Sequence, residues 1–238
     1  MHRLLAALGG VALWQGVVQM QLLPPFVLPS PWAVLRALGH NGALLADHGA
    51  VTLAEVLAGL VLGVILGLIS ASAMALSPAL RAVGGPVLAA SQALPVFVLA
   101  PVLTIWFGYG PAPKVAMTVL LVFFPVASGV LDGLMATPQG ALDLARIADA
   151  GRGRSFIWLR WPHALPHLGA ALRISVTYAP TGAVIGEWVG ASKGLGYLML
   201  MANARSKIDL MFAALVLIVA LTLALRMITD RILRRFAI

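Results

Sequence analysis

Long, uninterrupted apolar runs divided by short basic or proline-rich breaks limit this chain more than any other feature. A helix crossing the hydrocarbon layer needs about 20 mostly apolar residues. Six runs meet or approach that length: about residues 4–20, 51–76, 86–108, 114–135, 167–189 and 209–229. Only 10% of the residues are charged, against about 25% in a soluble domain, so there is too little polar surface to coat a water-soluble body. In a bilayer the backbone must satisfy its own hydrogen bonds, which leaves helices or a closed barrel. Barrel strands are short and alternating, and these runs are not. The sequence predicts an all-α integral membrane protein with about six transmembrane helices, a single domain over residues 1–238. No stretch outside the runs is long enough to bury a core of its own.

The breaks define the layout. Pro24, Pro25, Pro29 and Pro31 exclude a continuous helix between the first two runs, and a short amphipathic piece is expected around residues 31–45. Ser77-Pro78, Gly84-Gly85-Pro86 and Gly108-Tyr-Gly-Pro111 mark further interruptions. Arg3 followed by an apolar run resembles a secretion signal, but Gln19-Met-Gln21 stands where a small-residue cleavage site would be, so the first run reads as a retained helix. There is no cysteine, hence no disulfide and no thiol chemistry.

Positive charge predicts the orientation. With six spans and a cytoplasmic N-terminus, the inner side receives Arg3, Arg81, Arg146, Arg152, Arg154, Arg160, Arg231, Arg234 and Arg235, and the outer side Arg36, Lys114, Lys193, Arg205 and Lys207. Cytoplasmic loops are enriched in Lys and Arg, so both termini are expected in the cytoplasm. The net charge of +8 then needs no nucleic-acid partner. The bias is strongest in residues 143–166, a basic island inside a polar loop over residues 136–166.

Several clusters carry candidate roles. Glu55, Gly59, Gly63 and Gly67 recur every four residues and so share one helix face, where glycine permits close backbone approach. That helix-packing face could meet a second copy or another helix of the same chain. The fifth run holds Thr177, Tyr178, Pro180, Thr181, Gly186, Glu187 and Trp188, a density of hydroxyls and helix breakers that a lipid-facing helix would not need. With Gln92, Pro95 and Pro101 of the third run, these are the candidates for a polar path: Gln92, Pro95, Thr177, Tyr178, Thr181 and Glu187. His163 and His167 are four apart, but Pro162 and Pro166 disturb the helix a metal site would need and no third ligand is near, so no metal is expected. Gly151-Arg-Gly-Arg-Ser155 lacks the Gly-Lys-Ser/Thr ending of a phosphate loop, so nucleotide energy would come from another chain. An intramembrane hydrolase would need a nucleophile and a base at matching depth, and the histidines are placed outside the spans.

The basic island resembles the cytoplasmic loop of permease subunits of bacterial ATP-binding-cassette importers. In that loop a short helix reads acidic-x-Ala-x-x-x-Gly-Ala and a Pro-Ala-Leu-Pro-like ending follows. Asp143, Ala145 and Ala150 match it, and Pro162-His-Ala-Leu-Pro166 closes it. Asp149 departs from it, standing where the family has glycine, and Gly151 is the residue that could take over the turn. Leu28-Pro-Ser-Pro31, Gln92-Ala-Leu-Pro95, Trp106-Phe-Gly-Tyr-Gly110 and Gly186-Glu-Trp-Val-Gly-Ala191 look like the nitrate, sulfonate and taurine branch. The last of these, with Met-Ala-Asn-Ala-Arg205, is most similar to permeases for the pyrimidine precursor of thiamine.

The resemblance implies a type I importer permease fold with a cytoplasmic coupling helix, in the bacterial inner membrane. Its docking loop would comprise Asp143, Ala145, Arg146, Ala148, Asp149, Ala150, Gly151, Arg154, Pro162 and Pro166. The implied partners are ATPase subunits, which carry the ATP and Mg, an extracytoplasmic binding protein and a second permease copy in a homodimer; by charge alone, the loop arginines can pair with acidic groups or with the phosphate of membrane lipid. This chain would hold no cofactor and perform no covalent chemistry. The cargo implied is the thiamine pyrimidine precursor, with alkanesulfonate, taurine, nitrate and riboflavin-like solutes as alternatives.

Overall fold

The structure is a computed structural model that describes residues 2–93 and 95–235, with only the backbone described for residues 2–8 and 93. All regular structure among the described residues is helical: α1 (His2–Gln19), α2 (Pro31–His40), α3 (Gly42–Leu76), α4 (Pro78–Ala93), α5 (Val96–Phe107), α6 (Ala112–Met135), α7 (Gln139–Ile147) and α8 (Arg152–Ser155), a π-helical turn (Phe156–Arg160), α9 (Trp161–Trp188), α10 (Leu195–Ala204) and α11 (Ile208–Arg235).

Two of the predicted breaks are helix starts. Ser30 caps α2, its hydroxyl accepting from the Ala33 N–H at 3.2 Å with Pro31 in the first turn. Ser77 does the same for α4, accepting from Leu80 N–H at 3.3 Å ahead of Pro78. A serine satisfies an otherwise orphaned N–H, and proline has no N–H to orphan at that position.

The bundle is organised around α6, which lies between α3 and α9. Gly59, Gly63 and Gly67 of α3 meet Thr118, Val122 and Val126 of α6, so two four-residue ladders run in step. A Cβ on Gly63 would stand 2.7 Å from Val122 Cγ1, and Val126 and Val130 are wholly buried beside it. On the other flank small residues alternate between partners. Gly182 and Gly186 of α9 admit the α6 backbone at Thr118 and Lys114, whereas Gly129 and Gly133 of α6 admit Ala171, His167 and Ala164 of α9. The predicted glycine face is therefore filled from within the chain, and the second-copy reading of it does not hold.

The six spans expected are reproduced only in part by helix length and composition. Among the described residues four helices are long and apolar enough to cross a membrane: α3 with 35 residues, α6 with 24, the run Arg152–Trp188 with 37 and α11 with 28. A fifth is reached only if α4 and α5 count as one broken span, bent by 104°. The continuous helix expected at 86–108 fails because Pro95 lacks an N–H and holds an extended ψ of 108° as the α5 cap. The first run does form a helix, α1, but His2, Arg3, Gln15 and Gln19 dilute it and it is not among the long apolar ones. Conversely, α3 starts nine residues before the expected 51, at Gly42, taking in Asp47 and His48. The loop predicted over 136–166 ends early, because Pro162 sits in the first turn of α9 and Pro166 is carried inside it. The π turn just ahead accommodates Pro162: the Trp161 N–H reaches the Phe156 carbonyl, one residue wider than an α bond.

Candidate functional site

Three regions of the bundle hold the residues singled out by the sequence. At the end where α3 and α6 begin and α9 ends, a buried polar cluster forms. Thr52 donates its hydroxyl to Glu187 Oε1 at 2.6 Å, the Leu195 N–H donates to the same hydroxyl at 2.8 Å, and the Gly196 N–H donates to Glu187 Oε2. The Gly194 N–H donates to His48 Nδ1 at 3.0 Å, and the His48 ring stacks on Tyr197. Gly194 has φ +118°, and a Cβ there would collide with the Glu187 carboxyl group, so only glycine lets the chain pass over it. His48, Thr52 and Glu55 lie on one face of α3, and Glu55 is buried beside Glu187. The Lys114 ammonium, 3% exposed, donates to the carbonyls of Gly110 at 2.7 Å, Tyr109 at 3.1 Å and Gly190 at 3.4 Å. Glu187 was predicted to line a path. It fastens the turn after α9 to α3, its oxygens taken by the Thr52 hydroxyl and the Gly196 N–H, and it is not among the residues lining the cavity between α4, α6 and α9.

The second region is a cavity of about 470 Å³ between α4, α6 and α9. Gln92 and Tyr178, both predicted path residues, line it together with Phe124, Ser128, His167 and Ile174. Thr181 is exposed on α9 close to Tyr178 but outside the cavity wall, and Pro95 is exposed at the α4–α5 break. Thr177 faces elsewhere. It accepts from Arg226 at 3.2 Å, next to the Arg173–Asp230 ion pair that ties α9 to α11 at 2.9 Å. The reason is angular: Thr177 and Tyr178 are consecutive, and consecutive helix residues point about 100° apart.

The third region is the arm between α6 and α9. Helix α7 buries none of its residues, and it exposes Leu144 at 69% and Ile147 at 85%. Asp143 pairs with Arg146 at 2.7 Å along its exposed side. Its end answers the question raised by Asp149. The Ala150 N–H donates to the Ala145 carbonyl and the Asp149 N–H to that of Arg146, with Asp149 at φ +52°. This is a Schellman turn, whose C′ position calls for a left-handed residue, usually glycine and less often a short polar side chain. Asp149 itself makes the turn. Gly151, at φ −59°, does not take it over, contrary to expectation. Ala148 and Arg154 are exposed along the arm, Ala145 is half-buried, and Pro162 and Pro166 belong to α9 rather than to the arm.

Residues 63–237 match the family of binding-protein-dependent transport system inner membrane components. This chain belongs to that family. It is accordingly a transport subunit of an ATP-binding-cassette importer and not an enzyme. A probable ABC transporter permease of Haemophilus influenzae is 48% identical over 94% of this permease and 91% of its own length. The formylaminopyrimidine transport permease ThiX of Halalkalibacterium halodurans is 38% identical over 73% of this chain and 70% of that protein. The riboflavin transport permease RibX of Chloroflexus aurantiacus is 36% identical over 94% and 85%. Among solved structures, an inward-facing MetNI methionine transporter superposes with a TM-score of 0.62 at 22% identity, covering 87% of this chain and 97% of that one. The type I importer permease fold expected from the resemblance is thus the fold observed.

Some members of these regions were not singled out in the sequence. The sequence puts Lys114 on the outer side at the start of its span and His48 before its span, and the partners that bury them, Gly190 for Lys114 and Gly194 for His48, lie far along the chain. The spacing of His48, Thr52 and Glu55, one face of a helix, was the available signal. His167, weighed as a metal ligand and as a base and placed outside the spans, lies within α9 and lines the cavity. The described residues contain no cluster of three or more metal-ligating side chains.

Proposed function

We propose that this permease domain, residues 1–238, forms one half of a homodimeric channel in an ATP-driven importer, and that its cargo is a neutral heteroaromatic solute, in the first instance a thiamine pyrimidine precursor. The observation that carries the cargo assignment is the lining of the α4–α6–α9 cavity. Its polar groups are Gln92, Ser128, His167 and Tyr178, its aromatic faces are Phe124 and Tyr178, and it contains no Asp, Glu, Lys or Arg. A primary amide offers donors and an acceptor together, which suits the ring nitrogens and amino group of a pyrimidine, and aromatic faces suit its π surface. A sulfonate or nitrate brings a full charge, whose removal from water is costly without a cationic partner. The names of two relatives, one for a formylaminopyrimidine and one for riboflavin, agree with a heteroaromatic cargo.

The rest of the assembly follows from the exposed surfaces. Tyr178 in the cavity wall and Thr181 beside it on α9 are exposed, a face to which a second copy would add the opposite wall. Helix α7, all of it outside the core, is the element to seat in an ATPase subunit carrying ATP and Mg. Its arginine-rich surroundings favour a cytoplasmic position, with both termini on that side. Closure of the ATPase pair around nucleotide then shifts the permease between inward-open and outward-open states, and a binding protein delivers cargo at the far end.

Proteoliposomes containing this permease, its ATPase and its binding protein test the reading. Uptake of hydroxymethylpyrimidine is expected to saturate, to be insensitive to excess taurine, and to fall in Tyr178→Ala and Gln92→Ala variants that still recover the ATPase. Taurine uptake without pyrimidine uptake would overturn the cargo assignment.

A further inference from the structure

Four guanidinium groups line one cavity of about 570 Å³ at the base of the arm: Arg81 on α4, Arg146 on α7, Arg152 on α8 and Arg160 in the π turn. Two of them converge. Arg81 Nη1 lies 2.8 Å, and Arg160 Nη1 3.7 Å, from the same Met135 sulfur. A thioether is only a weak acceptor, so it does not offset the repulsion between two like charges brought to one atom. Arg146 has a carboxylate, Asp143, in an exposed pair. Arg81, Arg152 and Arg160 make no ion pair among the described residues, and no Asp or Glu lines the cavity. The cleft has an excess of positive charge and lacks a counter-ion.

Its position in the bundle identifies the counter-ion. Leu76 and Met135, the last residues of two membrane-crossing helices, border it, so it stands where hydrocarbon gives way to headgroups. The elements that carry Arg81 and Arg160 also expose apolar side chains: Leu80 and Val83 on α4 are 52% and 69% exposed, and Ile157 and Trp158 on the π turn 59% and 75%. Tryptophan beside aliphatic side chains is the composition of a membrane interface, whereas the rim of a protein–protein contact is polar.

We propose that this cleft binds the phosphate of an anionic inner-leaflet phospholipid, and that the bound lipid ties α7 to the α3–α4 corner. The proposal rests on the cytoplasmic placement of the arm argued above. A phosphodiester presents two unesterified oxygens, enough for Arg81 and Arg160 at once, with Arg146 and Arg152 completing the shell. Acyl chains would lie along the exposed faces of Leu80, Val83 and Trp158. The lipid thereby becomes a structural member of the arm, and its headgroup charge would govern how firmly α7 follows the bundle.

The test uses the full chain in nanodiscs of phosphatidylcholine with or without phosphatidylglycerol, reading retained lipid by native mass spectrometry and thermal midpoints in parallel. Phosphatidylglycerol is expected to be retained preferentially and to raise the midpoint. The Arg81→Gln/Arg160→Gln pair should weaken that retention roughly thirty-fold, from the energy typical of two basic residues at an anionic surface. Arg81→Lys/Arg160→Lys should keep most of it, and Arg234→Gln/Arg235→Gln should change nothing. Should the glutamine pair not fold, the wild-type midpoint decides: no phosphatidylglycerol-specific rise overturns the proposal. Inorganic phosphate that displaces the lipid and stabilises equally in pure phosphatidylcholine would make the cleft a free-anion site and sink the lipid assignment. Loss of ATPase recovery by the glutamine pair, with lipid retention intact, would assign the cleft to a protein partner instead. Labelling of an Arg154→Cys variant separates the two readings. Labelling from the outside would overturn the topology, whereas inside labelling with undiminished lipid retention overturns only the lipid site.

Discussion

Thr52 and Glu187 stand 135 residues apart in sequence and 2.6 Å apart in the structure, the threonine hydroxyl donating to the carboxyl group while accepting from the Leu195 N–H. One hydroxyl therefore joins α3, the end of α9 and the start of α10. The neighbouring Lys114 ammonium joins the loop before α6 to Gly190 in the same turn. Glu187, which the sequence placed on a polar path, thus acts as a fastening within the Gly186-Glu-Trp-Val-Gly-Ala191 motif. It fixes how α9 leaves the bundle.

Replacing Thr52 by valine keeps shape and removes the hydroxyl's hydrogen bonds, leaving the Leu195 N–H and a Glu187 oxygen short of a partner. A loss of about 1–3 kcal/mol is expected, whereas Thr52→Ser should stay within about 1 kcal/mol. Reversible unfolding in mixed micelles measures both, and a valine variant as stable as wild type would show the fastening to be unimportant.

The glycine ladder gives a paired comparison. A Cβ at Gly63 meets Val122 Cγ1 at 2.7 Å, while at Gly85 of α4 there is nothing within 4 Å. Gly63→Ala should cost about 1–3 kcal/mol by forcing α3 from α6. Gly85→Ala should gain about 0.5–1 kcal/mol from helix propensity alone. Equal midpoints for the two variants would argue that α3 and α6 do not touch along this face.

Much of this was legible in the sequence, and the rest was hidden for physical reasons. Apolar run length reported the membrane environment because the bilayer thickness sets it. The four-residue glycine spacing reported a packing face, but periodicity names a face without naming what lies opposite, and that proved to be α6. Lys114 looked like a loop charge because its solvation comes from carbonyls, and one of these, Gly190, lies 76 residues away. Pro95 and Pro166 looked equally disruptive. One sits at a 104° bend and the other is absorbed inside α9, since neighbouring helices can hold a proline-containing helix straight when its lost hydrogen bond is accommodated locally.

Asp149 can be tested directly. It holds φ +52° at the end of α7, where glycine carries no Cβ penalty, so Asp149→Gly should stabilise the turn by up to about 1 kcal/mol. Asp149→Val, with a branched Cβ, should unravel the last turn of α7. Amide hydrogen exchange over residues 139–151 checks both: slower exchange is expected in the glycine variant and faster in the valine variant. Faster exchange in the glycine variant would mean the aspartate side chain itself holds the turn.

The final prediction concerns what α7 is for. Leu144 and Ile147 are exposed, and α7 buries nothing of its own, so charging them removes no packing from this chain. Surface changes of that kind usually stay within about 0.5 kcal/mol of wild-type stability. If α7 seats in an ATPase groove, however, Ile147→Asp places a charge in the centre of that contact. Recovery of the ATPase should then drop about thirty-fold or more, as for a buried interface anchor. Asp143→Ala is the contrast: it breaks an exposed Asp–Arg pair worth about 0–1 kcal/mol and should leave recovery within about fivefold of wild type. Co-purification from membranes, with the thermal midpoint of the permease measured alongside, separates lost docking from lost folding. Undiminished recovery with Ile147→Asp would remove α7 from the ATPase contact.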